Sequence, residues 1–236
     1  MKERKRASYR IAAAFCFFAL WGAGALAQET AAAPPAEDPR IYTLIEAVSA
    51  ERIEADIRQL VAFGTRHTLS DTASETRGIG AARRWVEAEF RRISASCGGC
   101  LEVITVAETF SGERRIPDAT EVVNVLAIQR GTSEPGRYVL MSGDIDSRIS
   151  DPMNATADSP GANDNASGLA GTLEAARVLS RYRFQATIVY AALSGEEQGL
   201  FGGKTVARKA QEEGWQLEAV LNNDMIGNIE GVDGVI

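Results

Sequence analysis

Thr187-Ile188-Val189-Tyr190-Ala191-Ala192-Leu193-Ser194-Gly195-Glu196-Glu197-Gln198-Gly199 decides the fold. The run from Thr187 to Leu193 is apolar and β-branched without alternation, the pattern of a strand covered on both faces. Adjacent carboxylates, Glu196 and Glu197, follow it directly. In an open α/β sheet, ligands bind beyond the carboxyl ends of the strands, and Gly195 and Gly199 let the backbone turn sharply there. A Glu-Glu pair alone also fits an exposed turn leading into a helix. Its meaning depends on what else arrives at that end of the sheet.

The same pattern recurs on both sides. Residues 137–142 form a short apolar strand ending in Gly143-Asp144-Ile145-Asp146-Ser147-Arg148. Pro160-Gly161-Ala162-Asn163-Asp164-Asn165-Ala166-Ser167-Gly168 opens a helix whose apolar face is Leu169, Leu173, Ala176 and Leu179. A helix over 200–213 leads to a strand over 217–221, which ends in Asn222-Asn223-Asp224-Met225. Upstream, residues 41–63 carry helical spacing in two pieces, and 77–93 place Ile79, Ala82, Val86, Phe90 and Ile93 on one helix face. Residues 101–110 and 121–128 read as a hairpin-like pair of strands near one sheet edge. Alternating strands and helices predict an α/β fold: a doubly wound, mostly parallel mixed sheet with helices on both faces.

Parallel strands point their carboxyl ends the same way, so Asp144 with Asp146, Asp164, Glu196 with Glu197, and Asp224 are expected to converge. Unpaired carboxylates repel one another, and these loops hold few Lys or Arg. A divalent cation is the simplest compensating charge. The pattern suits two close ions sharing a bridging carboxylate, with one glutamate left free to accept a proton from bound water.

These motifs, in this order and spacing, resemble the exported zinc aminopeptidases, a family that includes glutamate carboxypeptidase and the glutaminyl cyclases. The likeness covers roughly residues 137–227. It implies a phosphorylase/hydrolase-like zinc peptidase fold acting on peptide or protein substrates. It also implies two Zn²⁺ per complete domain, with Asp164 bridging them and joined to Asn165 by a cis peptide. Glu197 and Asp224 would each bind one ion, Glu196 would be the general base, and Asp146 would orient the ligand two residues before it. The family has histidine where this chain has Asp144. A carboxylate there also binds zinc, and an oxygen-rich site is expected to accept Mn²⁺ or another divalent ion. Two other readings accompany the peptidase: a non-catalytic binding module on the same fold, and a single-zinc glutaminyl cyclase.

The remaining features bound these readings. A formal charge of -7 with scattered basic residues argues against a nucleic-acid surface. Residues 1–27 combine a basic head, a short apolar stretch and the A-x-A site Ala25-Leu26-Ala27, an export signal that predicts a periplasmic or extracellular protein without stable membrane insertion. Residues 28–40, rich in Ala and Pro, read as a flexible leader, and 41–236 as the peptidase-like domain. Cys97 and Cys100 are expected to close a small disulfide loop. His67, the single histidine, reads as a surface or hydrogen-bonding residue. The family supplies a later zinc-binding histidine, and 231–236 look like the start of a turn and strand, so the domain is expected to be incomplete at its C-terminus.

Overall fold

The computed structural model describes residues 38–228. The export signal at 1–27, nearly all of the leader and the 231–236 turn lie outside the described residues. Helices α1 (Arg40–Glu46) and α2 (Ala50–Ala62) are the expected two pieces, and the Ser49 hydroxyl caps α2 by accepting the Arg52 N–H. Helix α3 (Gly78–Ser96) follows, then strands β1 (Glu102–Phe110), β2 (Thr120–Gln129) and β3 (Glu134–Asp144). Helix α4 (Gly168–Leu179), strand β4 (Ala186–Leu193), the short α5 (Glu196–Gly199), α6 (Phe201–Glu212) and β5 (Gln216–Asn222) complete the order.

The strands form one mixed sheet in the order β1-β2-β4-β3-β5. β2 is antiparallel to both β1 and β4, while β3 is parallel to both β4 and β5. Only β2 therefore runs against the others, and the hairpin β1–β2 forms one edge as expected. The three strands that end in acids lie side by side.

Period-two side-chain direction divides the core. Val125, Ala127, Tyr190 and Ala192 pack with Leu60, Val86, Phe90, Leu169 and Leu173 of α2, α3 and α4. Their sequence neighbours Leu126, Ile128, Val189 and Ala191 pack on the other face with Val206 of α6. Burial of each Leu or Ile contributes about 1.5–3 kcal/mol, which is why β4 tolerates no alternation.

Helices α2, α3 and α4 are also joined by charge. The Arg177 guanidinium lies 2.7 Å from Asp56 and 3.2 Å from both Glu89 and Glu174, while Arg52 reaches Glu174 at 2.6 Å. Cys97 and Cys100 are disulfide-bonded between α3 and β1, as the spacing predicted. Among the described residues no helix is long and apolar enough to cross a membrane.

Candidate metal centre

Sheet register places the acids. Asp144 pairs with Leu193, so the turn carrying Glu196 and Glu197 emerges beside it. On its other side Ser142 pairs with Asn222, which brings Asp224 alongside. Asp164 arrives from the turn Ala162–Ser167 that leads into α4. Glycines make that approach possible: a Cβ on Gly143 would stand 2.5 Å from the Leu169 nitrogen, and one on Gly168 only 2.1 Å from the Asn223 carbonyl oxygen. The peptide between Asp164 and Asn165 is cis, as the resemblance implied.

The electrostatics show that these acids sense one another. Burial, reinforced by Asp146, pushes the Asp144 carboxyl up to about 8, against a hydrogen bond from Asn165 Nδ2 at 3.0 Å. Half-buried Glu196 is pushed up to about 7 by burial first, then by Asp146, Glu197, Asp224 and Asp164. Burial raises Glu197 as well, opposed by Arg148, whose Nε lies 2.5 Å from Oε2. Asp224 is raised by burial and by Asp164. Every segment predicted to deliver an acid thus lies within the field of another.

Local contacts assign some roles differently from the sequence. Asp146 is 1 % exposed and accepts the Thr68 hydroxyl at 2.7 Å and the N–H groups of Glu196 and Glu197, each at 3.2 Å. It fixes the Glu196–Glu197 turn, while Asn165 holds Asp144; the expected hold of Asp146 on Asp144 is replaced because α5 presents free N–H groups to it. His67 is fully buried, so of the two expected settings, surface or hydrogen-bonding, the second holds. Its Nδ1 accepts the Leu69 N–H and its Nε2 lies 3.0 Å from the Pro152 carbonyl oxygen. Those bonds satisfy both ring nitrogens. Arg66, Thr68 and Arg148 also contribute, and a single polar side chain carries no spacing signal that would mark it.

The donor chemistry fits a divalent cation. Asp144, Asp164, Glu197 and Asp224 carry carboxylate oxygens of the kind hard divalent ions take, and among the described residues only Glu197 of these has an ion-pair partner. Burial, reinforced by neighbouring carboxylates, raises Asp144, Glu197 and Asp224. Among the described residues no group of three His, Cys, Asp or Glu side chains is arranged to hold an ion as it stands. Beside Asp144, Glu196 and Asp224 opens a cavity of about 450 Å³ with an apolar wall that includes Leu140, Leu193 and Val206.

Residues 124–232 match Peptidase family M28. A probable zinc metalloprotease of Leptosphaeria maculans is 44% identical over 200 residues, covering 85% of this chain and 46% of the relative. A probable zinc metalloprotease of Pyrenophora teres is 41% identical over 219 residues, covering 93% of this chain and 45% of the relative. The chain thus spans about half the length of these curated relatives. Among solved structures, LapB from Legionella pneumophila superposes with a TM-score of 0.64 at 22% identity, covering 81% of this chain and 47% of that one. Porphyromonas gingivalis glutaminyl cyclase gives 0.61 at 21% identity, covering 76% of this chain and 62% of that one. At these identities the two structures share the fold.

Proposed function

We propose that this chain, whose residues 124–232 are a peptidase family M28 domain, takes part in zinc-dependent hydrolysis of peptide bonds, with Glu196 as general base. The observation that carries the reading is the placement of Glu196. It lines the cavity together with Asp144 and Asp224, and in the metal-free chain burial and the neighbouring carboxylates raise its carboxyl. Asp144, Asp164, Glu197 and Asp224 would hold the metal, Asp164 being shared between two ions. Bound zinc lowers the pKa of a water toward neutrality and polarises the substrate carbonyl. Glu196 takes the proton of the attacking water and returns it to the leaving amine. Asp146 holds the Glu196 and Glu197 backbone so that their side chains keep separate tasks.

Removal of amino-terminal residues is the preferred specificity, resting on the resemblance to exported zinc aminopeptidases. The signal-like residues 1–27 favour work outside the cytoplasm. The Arg148–Glu197 contact favours one alternative, a binding module in which an arginine stands in for metal charge.

Hydrolysis of aminoacyl nitroanilides and of amino-blocked peptides by the zinc-loaded chain separates these readings. Zinc-dependent release from free amino termini is expected. Glu196→Gln should lower kcat by about 10²–10⁴ while zinc still binds. Peptide binding without hydrolysis at any zinc concentration would select the module.

A further inference from the structure

Arg66 is 1 % exposed, yet its guanidinium contacts no carboxylate among the described residues. Its Nε donates to the Ile145 carbonyl oxygen at 2.8 Å; one terminal nitrogen donates to Pro160 O at 2.7 Å and Leu60 O at 3.0 Å; the other donates to Gly161 O at 3.0 Å. Ile145 lies between Asp144 and Asp146, and Pro160 and Gly161 open the turn that carries Asp164. Leu60 belongs to α2. One planar cation therefore ties together a helix and two acid-bearing loops that are far apart in sequence.

The chemistry requires arginine. Removing a guanidinium from water is costly unless its donors are used, and here carbonyl oxygens accept from four of its five N–H groups. Burial lowers its pKa to about 10, so the group stays charged at neutral pH, with Asp146 and Asp164 supporting that charge. The loops fit closely around it. A Cβ on Gly161 would lie 3.0 Å from the Arg66 terminal nitrogen and 2.6 Å from the Ser147 Cβ. Ser147 completes the tie: its hydroxyl donates to Ser159 O at 2.7 Å and lies 3.3 Å from the Arg66 backbone nitrogen, which donates to it.

We propose that Arg66 is the positioning residue of the metal centre, holding the Asp144–Asp146 loop against the Asp164 turn so that their carboxylates converge. The metal-binding part of this inference rests on the peptidase reading; the loop tie does not.

The test compares the full wild-type chain with Arg66→Lys, which keeps the charge and loses the fork. In the metal-free state, amide hydrogen exchange should accelerate at 144–147 and 160–166 in the variant, with α3 and β2 unchanged. Calorimetric Zn²⁺ titration should give an affinity weakened by about 10- to 100-fold, the usual consequence of removing a group that supports a metal ligand. Unchanged exchange in the two loops, or a uniform rise across the chain, would overturn the proposal. So would unchanged Zn²⁺ affinity. If the wild type itself binds no Zn²⁺, the peptidase reading fails and the exchange data alone decide the role of Arg66. If Arg66→Lys does not fold, the wild-type Arg66 Nε–H decides by NMR: slow solvent exchange supports the tie, and rapid exchange overturns it.

Discussion

Arg148 Nε donates to Glu197 Oε2 across 2.5 Å, so the glutamate expected to bind metal already faces a cation. Arg148 is exposed, whereas Glu197 is buried, which leaves the glutamate dependent on this partner or on a metal. In Arg148→Gln the metal-free chain should lose roughly 1–2 kcal/mol, because a buried carboxylate gives up a charge-assisted hydrogen bond. Zinc should then raise Tm more in the variant than in the wild type. An equal rise in both would mean that Glu197 is not a ligand.

Asp144 holds a position at which the resemblance implies histidine, and only Asn165 donates to its side chain among the described residues. Replacing it with histidine gives the site a borderline nitrogen donor in place of a hard oxygen. Asp144→His should favour Zn²⁺ over Mn²⁺ by about tenfold, the lower end of effects seen near metal ligands. It should also raise peptidase activity. Competitive titration of both ions checks this, and an unchanged preference would remove Asp144 from the ligand set.

The raised acids predict an unusual pH response in the metal-free chain. Asp144 moves from an ordinary 3.8 to about 8 and Glu196 from 4.5 to about 7, so between these limits the folded state holds more protons than the unfolded state. Their contribution to stability is complete below pH 4 and is lost as the pH rises toward about 8. Glu174, whose carboxyl is lowered despite burial because Arg52, the Ser49 N–H and Arg177 hold it, acts in the opposite sense at the acid end. Chemical denaturation without metal should therefore give lower stability at pH 8 than at pH 5.5. Saturating zinc should reverse that order, because it binds the ionised acids. A metal-free stability that climbs steadily from pH 5.5 to 8 would refute the clustering of these groups.

The disulfide between Cys97 and Cys100 closes a very short loop away from the acids. Replacing both cysteines with serine should cost no more than about 2 kcal/mol from loop entropy. Zinc affinity should be unchanged. Denaturation and calorimetry on the double variant test both statements.

Much of this architecture is legible locally. Unbroken apolar runs mark β3 and β4, and helical spacing marks α2, α3, α4 and α6, because each pattern reports which faces of an element are covered. The acids after those strands are legible too, since a carboxylate at the end of a buried strand has few structural uses. What surrounds them is less so. His67 has polar neighbours in sequence, yet it is fully buried by the Leu69 N–H and the Pro152 carbonyl, a contact set that no local pattern encodes. Asp146 likewise lies two residues from Asp144 but bonds to Thr68 and the α5 backbone.

The sequence by itself determined the order of strands and helices, the α/β class and which strands end in acids, because burial periodicity and strand-end position are properties of neighbouring residues. Only the tertiary structure decided that β3 lies between β4 and β5, that Arg148 faces Glu197, and that Arg66 ties Ile145 to Pro160 and Gly161. Those contacts join residues about 50 to 100 positions apart, where a single arginine carries no spacing signal and its partners are backbone carbonyls that every residue possesses.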